Sequence, residues 1–409
     1  MNVLVVGQGG REAALARKIA ESPLVRQVVV TPWHPACAQL SPKITTSSLP
    51  AEMLAREGAF QLAIIGPEDA LADGLADRLR ELGLPTVGPG AEAARLETSK
   101  IFAKQVMASA GVPTAAARWF SDLSSAIGHA NGPCVIKADG PVQGKGVVVC
   151  DDAAEARRAL EGLFQGDLLG RRVGRVLVEE RMSGPEISAF FLCHGHQHVW
   201  LGEARDHKRL RTGDLGPNTG GMGAFSPVAD FSENDRLFCE ERVVAPLLTE
   251  MARRGCPYQG FLFVGLMRTS EGLKVIEFNA RMGDPETQVL THRWEGDVVP
   301  MLLAAAEGTT LHAPRLSLGS QVHVVMAAEG YPGVAGAKVR TGTPIPWRPY
   351  PRDGVVVYPA GLTERDGHWV NRGGRVVGIT AGTLAEALAV VAETSFTGAQ
   401  WRTDIGSRA

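Results

Sequence analysis

No two of the six cysteines, at 37, 134, 150, 193, 239 and 256, stand at CxxC spacing, so neither a disulfide framework nor a zinc site is indicated. No apolar run approaches the length that spans a bilayer. Neither sign of charge dominates: the formal net charge is -2, which gives no global pull towards nucleic acid or an anionic membrane. The opening Met1-Asn2-Val3-Leu4-Val5-Val6-Gly7 has no basic segment ahead of its apolar stretch and reads as a strand, not a signal peptide. Internal repeats and low-complexity tracts are also missing. What is left is 409 residues, 44% hydrophobic and 21% charged, enough for two to four domains. The 48 glycines and 25 prolines imply many tight turns, as α/β enzymes use. These features predict a cytoplasmic protein.

Up to about residue 100, short apolar strands (Val3–Val6, Val28–Thr31, Leu62–Ile65) alternate with helical spacing such as Leu15 and Ile19, which predicts a parallel sheet. Ligands on such sheets bind at the carboxyl ends of the strands. Gly7-Gln8-Gly9-Gly10-Arg11-Glu12 suits a phosphate loop or a plain strand-to-helix turn. It lacks the full dinucleotide fingerprint, and no acidic residue closes the second strand, which argues against NAD. Val112-Pro113-Thr114 marks a boundary. We expect domains over 1–100, 101–308 (a mobile part over 115–186, a central part over 187–308) and 320–409, with one helix from Asp235 to Arg254.

The densest chemistry lies in Val275-Ile276-Glu277-Phe278-Asn279-Ala280-Arg281. Alternate residues of a strand share a face, so Glu277, Asn279 and Arg281 project together if the strand runs on. A carboxylate and an amide oxygen suit Mg²⁺. A guanidinium beside them suits a phosphate or an acyl phosphate. Upstream, Lys137 ends an apolar strand, and Lys145 sits between Gly144 and Gly146. Two lysines joined by a glycine loop can clamp a polyphosphate, since glycine lets the backbone approach closely. Val178-Glu179-Glu180-Arg181-Met182-Ser183-Gly184-Pro185-Glu186 could meet a purine edge and a ribose, although taken alone it reads as a solvated acidic turn. Asp206-His207-Lys208-Arg209 followed by Gly216 to Gly223 makes a long loop of the kind that closes over a substrate. His207 by itself reads as structural.

Taken together, the Gly-Lys-Gly loop, Asp206-His207-Lys208-Arg209, Gly216-Pro217-Asn218-Thr219-Gly220-Gly221-Met222-Gly223 and Glu277-Phe278-Asn279-Ala280-Arg281-Met282-Gly283-Asp284-Pro285-Glu286 resemble the glycinamide ribonucleotide synthetase family, ATP-grasp carboxylate–amine ligases of purine biosynthesis. The resemblance runs end to end and includes Gly66-Pro67-Glu68, Ser99-Lys100 and Gly373-Gly374-Arg375. It implies an ATP-grasp fold with an N-terminal Rossmann-like domain and a small C-terminal α+β domain. It implies the reaction of ATP, glycine and 5-phosphoribosylamine to glycinamide ribonucleotide, ADP and phosphate, by a monomer or homodimer. By the same resemblance, Lys100, Lys137 and Lys145 hold ATP phosphates, Glu179, Glu180 and Met182 line the adenine, and Glu186 meets the ribose. Glu277 and Asn279 bind Mg²⁺ or Mn²⁺, and Arg281 steadies the acyl phosphate. Asp206, His207, Lys208 and Arg209, with Asn218, Thr219, Gly220 and Gly221, close the site. Gly9, Gly10, Arg11, Glu12, Glu68, Asp284, Pro285 and Glu286 complete the substrate side.

The chain departs from the family pattern mainly in its first and last domains. Gln8 and Ala13 replace Asn and His; Pro32-Trp33-His34-Pro35 replaces a Pro-Gly-Asn loop; Pro359 and Leu362 replace His and Thr; Asn371-Arg372 replaces Thr-Asn. In the middle, Pro141-Val142-Gln143 precedes Gly144, and Met282 stands for Phe. Since lost hydrogen-bond donors weaken discrimination strongly, these changes suggest an alternative: a ligase that joins glycine, or a similar carboxylate, to another amine. A nucleotide-binding regulator without turnover is the third reading, and the intact Lys145, Glu277, Asn279 and Arg281 argue against it.

Overall fold

Val3, Leu4 and Val5 are wholly buried because β1 (Asn2–Val6) is the middle strand of a parallel sheet covered on both faces. Its partners are β2 (Gln27–Thr31), β3 (Ile44–Thr46), β4 (Leu62–Ile65) and β5 (Thr86–Val87), in the order β3-β2-β1-β4-β5. The computed structural model describes residues 1–140, 146–334 and 337–407. Helix Gly10–Ala20 starts straight off β1 and packs close to helix Glu286–Arg293. A Cβ at Gly10 would lie 2.6 Å from Gln288 Nε2, so any larger residue there would have to displace the Gln288 amide.

The next unit is a four-stranded antiparallel sheet of β6 (Ala117–Phe120), β7 (Cys134–Ala138), β8 (Val147–Cys150) and β9 (Val176–Glu180), ordered β6-β9-β7-β8. Cys134, Ile136, Ala138, Val176 and Val178 face a core closed by helices Leu123–His129 and Ala153–Gln165. By the two-residue strand period the opposite face carries Lys137 and Glu179.

Behind it lies an antiparallel sheet built from β10 (Glu186–His194), β11 (Gln197–Asp206), β14 (Gly223–Ser226), β15 (Gln259–Thr269), β16 (Gly272–Asn279), β19 (Gln321–Ala327), β20 (Val356–Pro359) and β23 (Arg375–Ala381), in the order β16-β15-β10-β11-β14-β19-β23-β20. Three small pairs decorate it: β12 (Arg209–Arg211) with β13 (Leu215–Asn218), β17 (Trp294–Glu295) with β18 (Arg315–Leu316), and β21 (Leu362–Arg365) with β22 (His368–Asn371). Because β14 pairs with β19 (Gly223↔Val324), the sheet runs unbroken from the central region into the C-terminal one. The sheet thus takes strands from both sides of the boundary expected between residues 308 and 320.

The single helix expected from Asp235 to Arg254 differs in detail. It runs as α-helix Glu233–Phe238, a π-helical stretch Cys239–Val244 and α-helix Ala245–Arg253. Pro246 cannot donate a main-chain hydrogen bond, and just before it the Ala245 N–H reaches back five residues to the Glu240 carbonyl.

Candidate active site

The site forms where the four-stranded sheet faces the edge of the large one. Register on that edge shifts between Gly265 and Leu266: Gly265 pairs with Glu277, but Leu266 pairs with Val275. The extra residue is Ile276, and the bulge lets Ile276 and Glu277, adjacent in sequence, line the same cleft. That cleft is also lined by Glu186, Ile187, Ser188, Asp206, Lys208, Phe263, Gly265 and Leu266. A Cβ at Gly265 would stand 3.2 Å from Glu277 Cγ, so the glycine leaves room over the carboxylate. Burial pushes the Glu277 carboxyl up, but Lys208, Lys137, Lys100 and Arg281 outweigh it and hold it below its ordinary value. Glu277 is thus an anion by default, and with the amide oxygen of Asn279 it offers the hard donors that Mg²⁺ prefers.

Lys137 joins the two sheets. Its ammonium pairs with Glu179 at 2.9 Å and donates to the Ile276 carbonyl at 3.3 Å. Glu179 is buried and also meets Lys104 at 3.6 Å, so it is the counter-ion of two lysines more than an open purine contact. Glu180 is exposed, and its carboxylate accepts weakly, at 3.4 Å, from the Ala116 N–H. Met182 is half-buried. Ser99 caps helix Lys100–Ala110, and Asp139 receives the Ser99 hydroxyl at 2.9 Å and the Ile101 N–H at 3.2 Å, which fixes the start of that helix beside Lys100. Gly144 and Lys145 lie outside the described residues; Gly146 accepts from the Ala138 N–H at 2.7 Å.

The run 206–209 splits where β11 ends at Asp206 and β12 begins at Arg209. Asp206 and Lys208 turn to the cleft, where Lys208 pairs with Glu186. The structure does not bring His207 and Arg209 there. His207 Nε2 accepts from the Gly406 N–H at 3.2 Å, and burial, aided by Arg402, pulls the imidazole down to about 4. Arg209 donates to the Gly216 carbonyl at 2.8 Å, and Asn218 pairs with it across the β12–β13 hairpin. Thr219 donates to the Lys208 carbonyl at 2.8 Å. Gly221 adopts φ +108° beneath Pro285; a Cβ there would come within 2.4 Å of Pro285 Cδ and 2.8 Å of Asp206 Oδ1. Burial raises the proton affinity of Asp206, and neighbouring Glu286 raises it further. Burial likewise raises Glu286, which accepts from the Ser188 hydroxyl at 3.1 Å. Asp206 Oδ1 is buried and has no hydrogen-bond partner among the described residues.

Arg281 ties this cleft to the N-terminal domain. Its guanidinium meets Glu68 at 3.1 Å, Glu97 at 3.0 Å and the Met282 carbonyl at 3.2 Å. Burial, then Arg281, set Glu97 against each other: burial wins and the carboxyl is raised. Arg11 donates to Glu12 at 2.8 Å and to the Met282 carbonyl at 2.9 Å, and approaches Glu68 at 3.9 Å. Glu12 turns back to accept from the Gly9 N–H at 2.7 Å. A Cβ at Gly66 would fall 1.9 Å from Glu12 Oε1, so the glycine turn after β4 exists to admit this carboxylate. Asp284 accepts from Gln288 at 2.8 Å and from Arg375 at 3.1 Å, while Arg375 also holds the Gly220 carbonyl at 2.6 Å.

Sequence reasoning missed three of these residues. Glu97 sits two positions before the Ser99-Lys100 pair, yet its partner is 184 positions away, from 281 minus 97. Lys104 lies one helical turn after Lys100. Arg375 belonged to a quoted motif but had no assigned role; its bridge to Asp284 spans 91 positions.

The comparisons with known proteins agree from end to end. The family models for phosphoribosylglycinamide synthetase match as its N domain over 1–97, its ATP-grasp (A) domain over 98–287 and its C domain over 321–408. The chain is 43% identical to the phosphoribosylamine–glycine ligase of Caulobacter vibrioides over 100% of this chain and 98% of that one. It is 40% identical to the ligase of the same name from Chlorobaculum tepidum, over 100% of both. The crystal structure of the phosphoribosylamine–glycine ligase of Thermotoga maritima superposes with TM-score 0.86 at 31% identity, over 99% of this chain and 100% of that one. At 18% identity, the biotin carboxylase domain of a Hydrogenobacter thermophilus 2-oxoglutarate carboxylase shares the fold, with TM-score 0.73 over 98% of this chain and 91% of that one. With all three of its domain models matched in order along one continuous fold, the chain belongs to the phosphoribosylglycinamide synthetase family.

Proposed function

We propose that this chain joins glycine to 5-phosphoribosylamine at the expense of ATP, giving glycinamide ribonucleotide, ADP and phosphate. The observation that carries the proposal is the convergence of Glu277, Lys137, Lys208, Asp206 and Glu286 on one face of the bulged edge, with Arg281 leading from it to the first loop.

ATP phosphates lie under Lys137 and Lys100, with Lys145 on the connecting loop, and the ribose lies by Glu186. Glu277 and Asn279 would hold Mg²⁺, with Mn²⁺ as a substitute; bound there, the ion neutralises charge on the phosphates. The glycine ammonium docks against the Asp206–Glu286 pair, where a cation relieves two crowded carboxyls and supplies the partner that Asp206 Oδ1 lacks. A glycine carboxylate oxygen attacks the γ-phosphorus and ADP leaves, forming glycyl phosphate. The amine nitrogen of phosphoribosylamine then attacks the acyl carbon, phosphate departs with that oxygen, and the amine proton leaves with it. Arg281, locked by Glu68 and Glu97, contributes an oriented positive charge without having to reorganise. The enzyme would work in the cytoplasm on small molecules.

The changed-acceptor alternative is not retained. Nothing in the comparisons favours it, and four of the altered positions behind it are core positions: Ala13, His34 and Leu362 have no exposed surface, and Pro359 is buried in β20. Such changes repack the interior and need not alter a ligand contact. ADP release should require both glycine and phosphoribosylamine, with an efficiency of about 10⁴ M⁻¹s⁻¹ or more. Release that ignores either substrate would refute the assignment.

A further inference from the structure

Two altered positions, Gln8 and Arg372, do meet. They are 364 positions apart, and the Arg372 guanidinium donates to Gln8 Oε1 at 2.7 Å and reaches the Gln8 carbonyl at 3.4 Å. Gln8 passes the contact on: its amide donates to the Trp33 carbonyl at 3.3 Å. The main chain of Arg372 is itself fixed, its N–H bonded to the Gly361 carbonyl at 2.8 Å. The C-terminal domain thereby lays an arginine across the loops that follow β1 and β2, at the carboxyl ends of two parallel strands. That is where an open parallel sheet takes its ligand.

The charge on this arginine is not balanced. The guanidinium meets two neutral oxygens of Gln8, and none of the ion pairs among the described residues includes Arg372. Arg11 and Arg375, which flank the same loop, each have a carboxylate. Burial alone lowers the proton affinity of Arg372, with no anion opposing it. Beneath it, His34 has no exposed surface. Burial, then Arg372, hold His34 neutral, with its pKa pulled down to about 4. Such a cation, held in place by an amide and exposed on its outer side, suits a phosphate, which takes guanidinium in two parallel hydrogen bonds.

We propose that Arg372 is a specificity-determining residue that receives the phosphate of the amine acceptor, with Gln8 as the positioning residue that aims it. This rests on the ligase assignment, since the acceptor of that reaction carries a phosphate at the end remote from its amine. The amine end would then point along Gly9 and Gly10, which face the Asp284 carboxylate, towards Arg281.

The test uses the full chain and the variants Arg372→Gln, Arg372→Lys and Gln8→Ala. KM for phosphoribosylamine should rise about tenfold or more in Arg372→Gln, with kcat and the KM values of glycine and ATP changed less than about twofold. Arg372→Lys should recover part of the loss, and Gln8→Ala should show a smaller rise confined to the same substrate. Ribose 5-phosphate, titrated calorimetrically, should bind the unaltered chain and bind Arg372→Gln at least about tenfold more weakly. An unchanged KM and unchanged ribose 5-phosphate affinity in Arg372→Gln would overturn the proposal. So would a uniform fall in kcat that lysine does not restore, which marks a structural role. If no glycinamide ribonucleotide forms but ribose 5-phosphate still binds through Arg372, the ligase assignment has failed and the phosphate site stands.

Discussion

The two halves of the site handle charge differently. On the nucleotide side four cations have fixed anions: Lys137 and Lys104 share Glu179, Lys208 has Glu186, and Arg281 has Glu68 and Glu97. On the side of the first loop and the C-terminal domain, Arg372 rests on neutral oxygens, and His34, His292 and His323 are buried uncharged. The lesson is one of preorganisation. Phosphoryl transfer needs charges that are already in place, so the sequence keeps long motifs there. Recognition of the acceptor can be met by more than one residue set, so departures collect on that side.

The largest effect should come from the nucleotide half. Glu277→Ala and Asn279→Ala should each lower ADP formation at millimolar Mg²⁺ by about 10³-fold or more, with melting temperature nearly unchanged. Turnover within about tenfold of the parent in both would break the contrast at its stronger end. Next, Glu179→Ala should cost about 3–5 kcal/mol in urea unfolding, because it removes the anion of the buried Lys137 and the ion pair of the partly buried Lys104. It should also raise KM for ATP; a loss below about 1 kcal/mol would show that the pairs are not structural.

The smallest effect concerns acid. Burial, the main cause, lowers His34 to about 4 and His292 and His323 to about 3, from 6.5. A depressed folded value means the contribution to stability is complete above 6.5 and falls as pH drops towards 4 and then 3. Melting temperature at pH 5 should therefore lie at least about 2 °C below that at pH 7. Amide protection should fade at β2 and β19 before it fades in β6 to β9; the reverse order would deny that neutral burial is concentrated in the acceptor half.

Much of this was legible in the sequence where the information is local. The valine runs mark β1 and β2, and the two-residue spacing of Glu277 and Asn279 marks the metal-binding pair. The split of Asp206 and Lys208 from His207 and Arg209 falls between two strands, and a block reading of the motif conceals it. The rest depends on partners that a local reading lacks. The bulge at Ile276 requires β15 opposite β16, Glu97 and Arg375 gain their roles from residues far along the chain, and the continuity of β14 with β19 crosses the expected domain boundary. Ala13 and Leu362 looked like ligand positions until burial placed them in the core.

The central claim is that the nucleotide half activates the glycine carboxyl before the acceptor half delivers the amine. Glycine carrying ¹⁸O in both carboxyl oxygens tests it directly when turned over with phosphoribosylamine and ATP. The account predicts one ¹⁸O in the released phosphate for each glycinamide ribonucleotide formed. Phosphate free of ¹⁸O, with product formed normally, would contradict it.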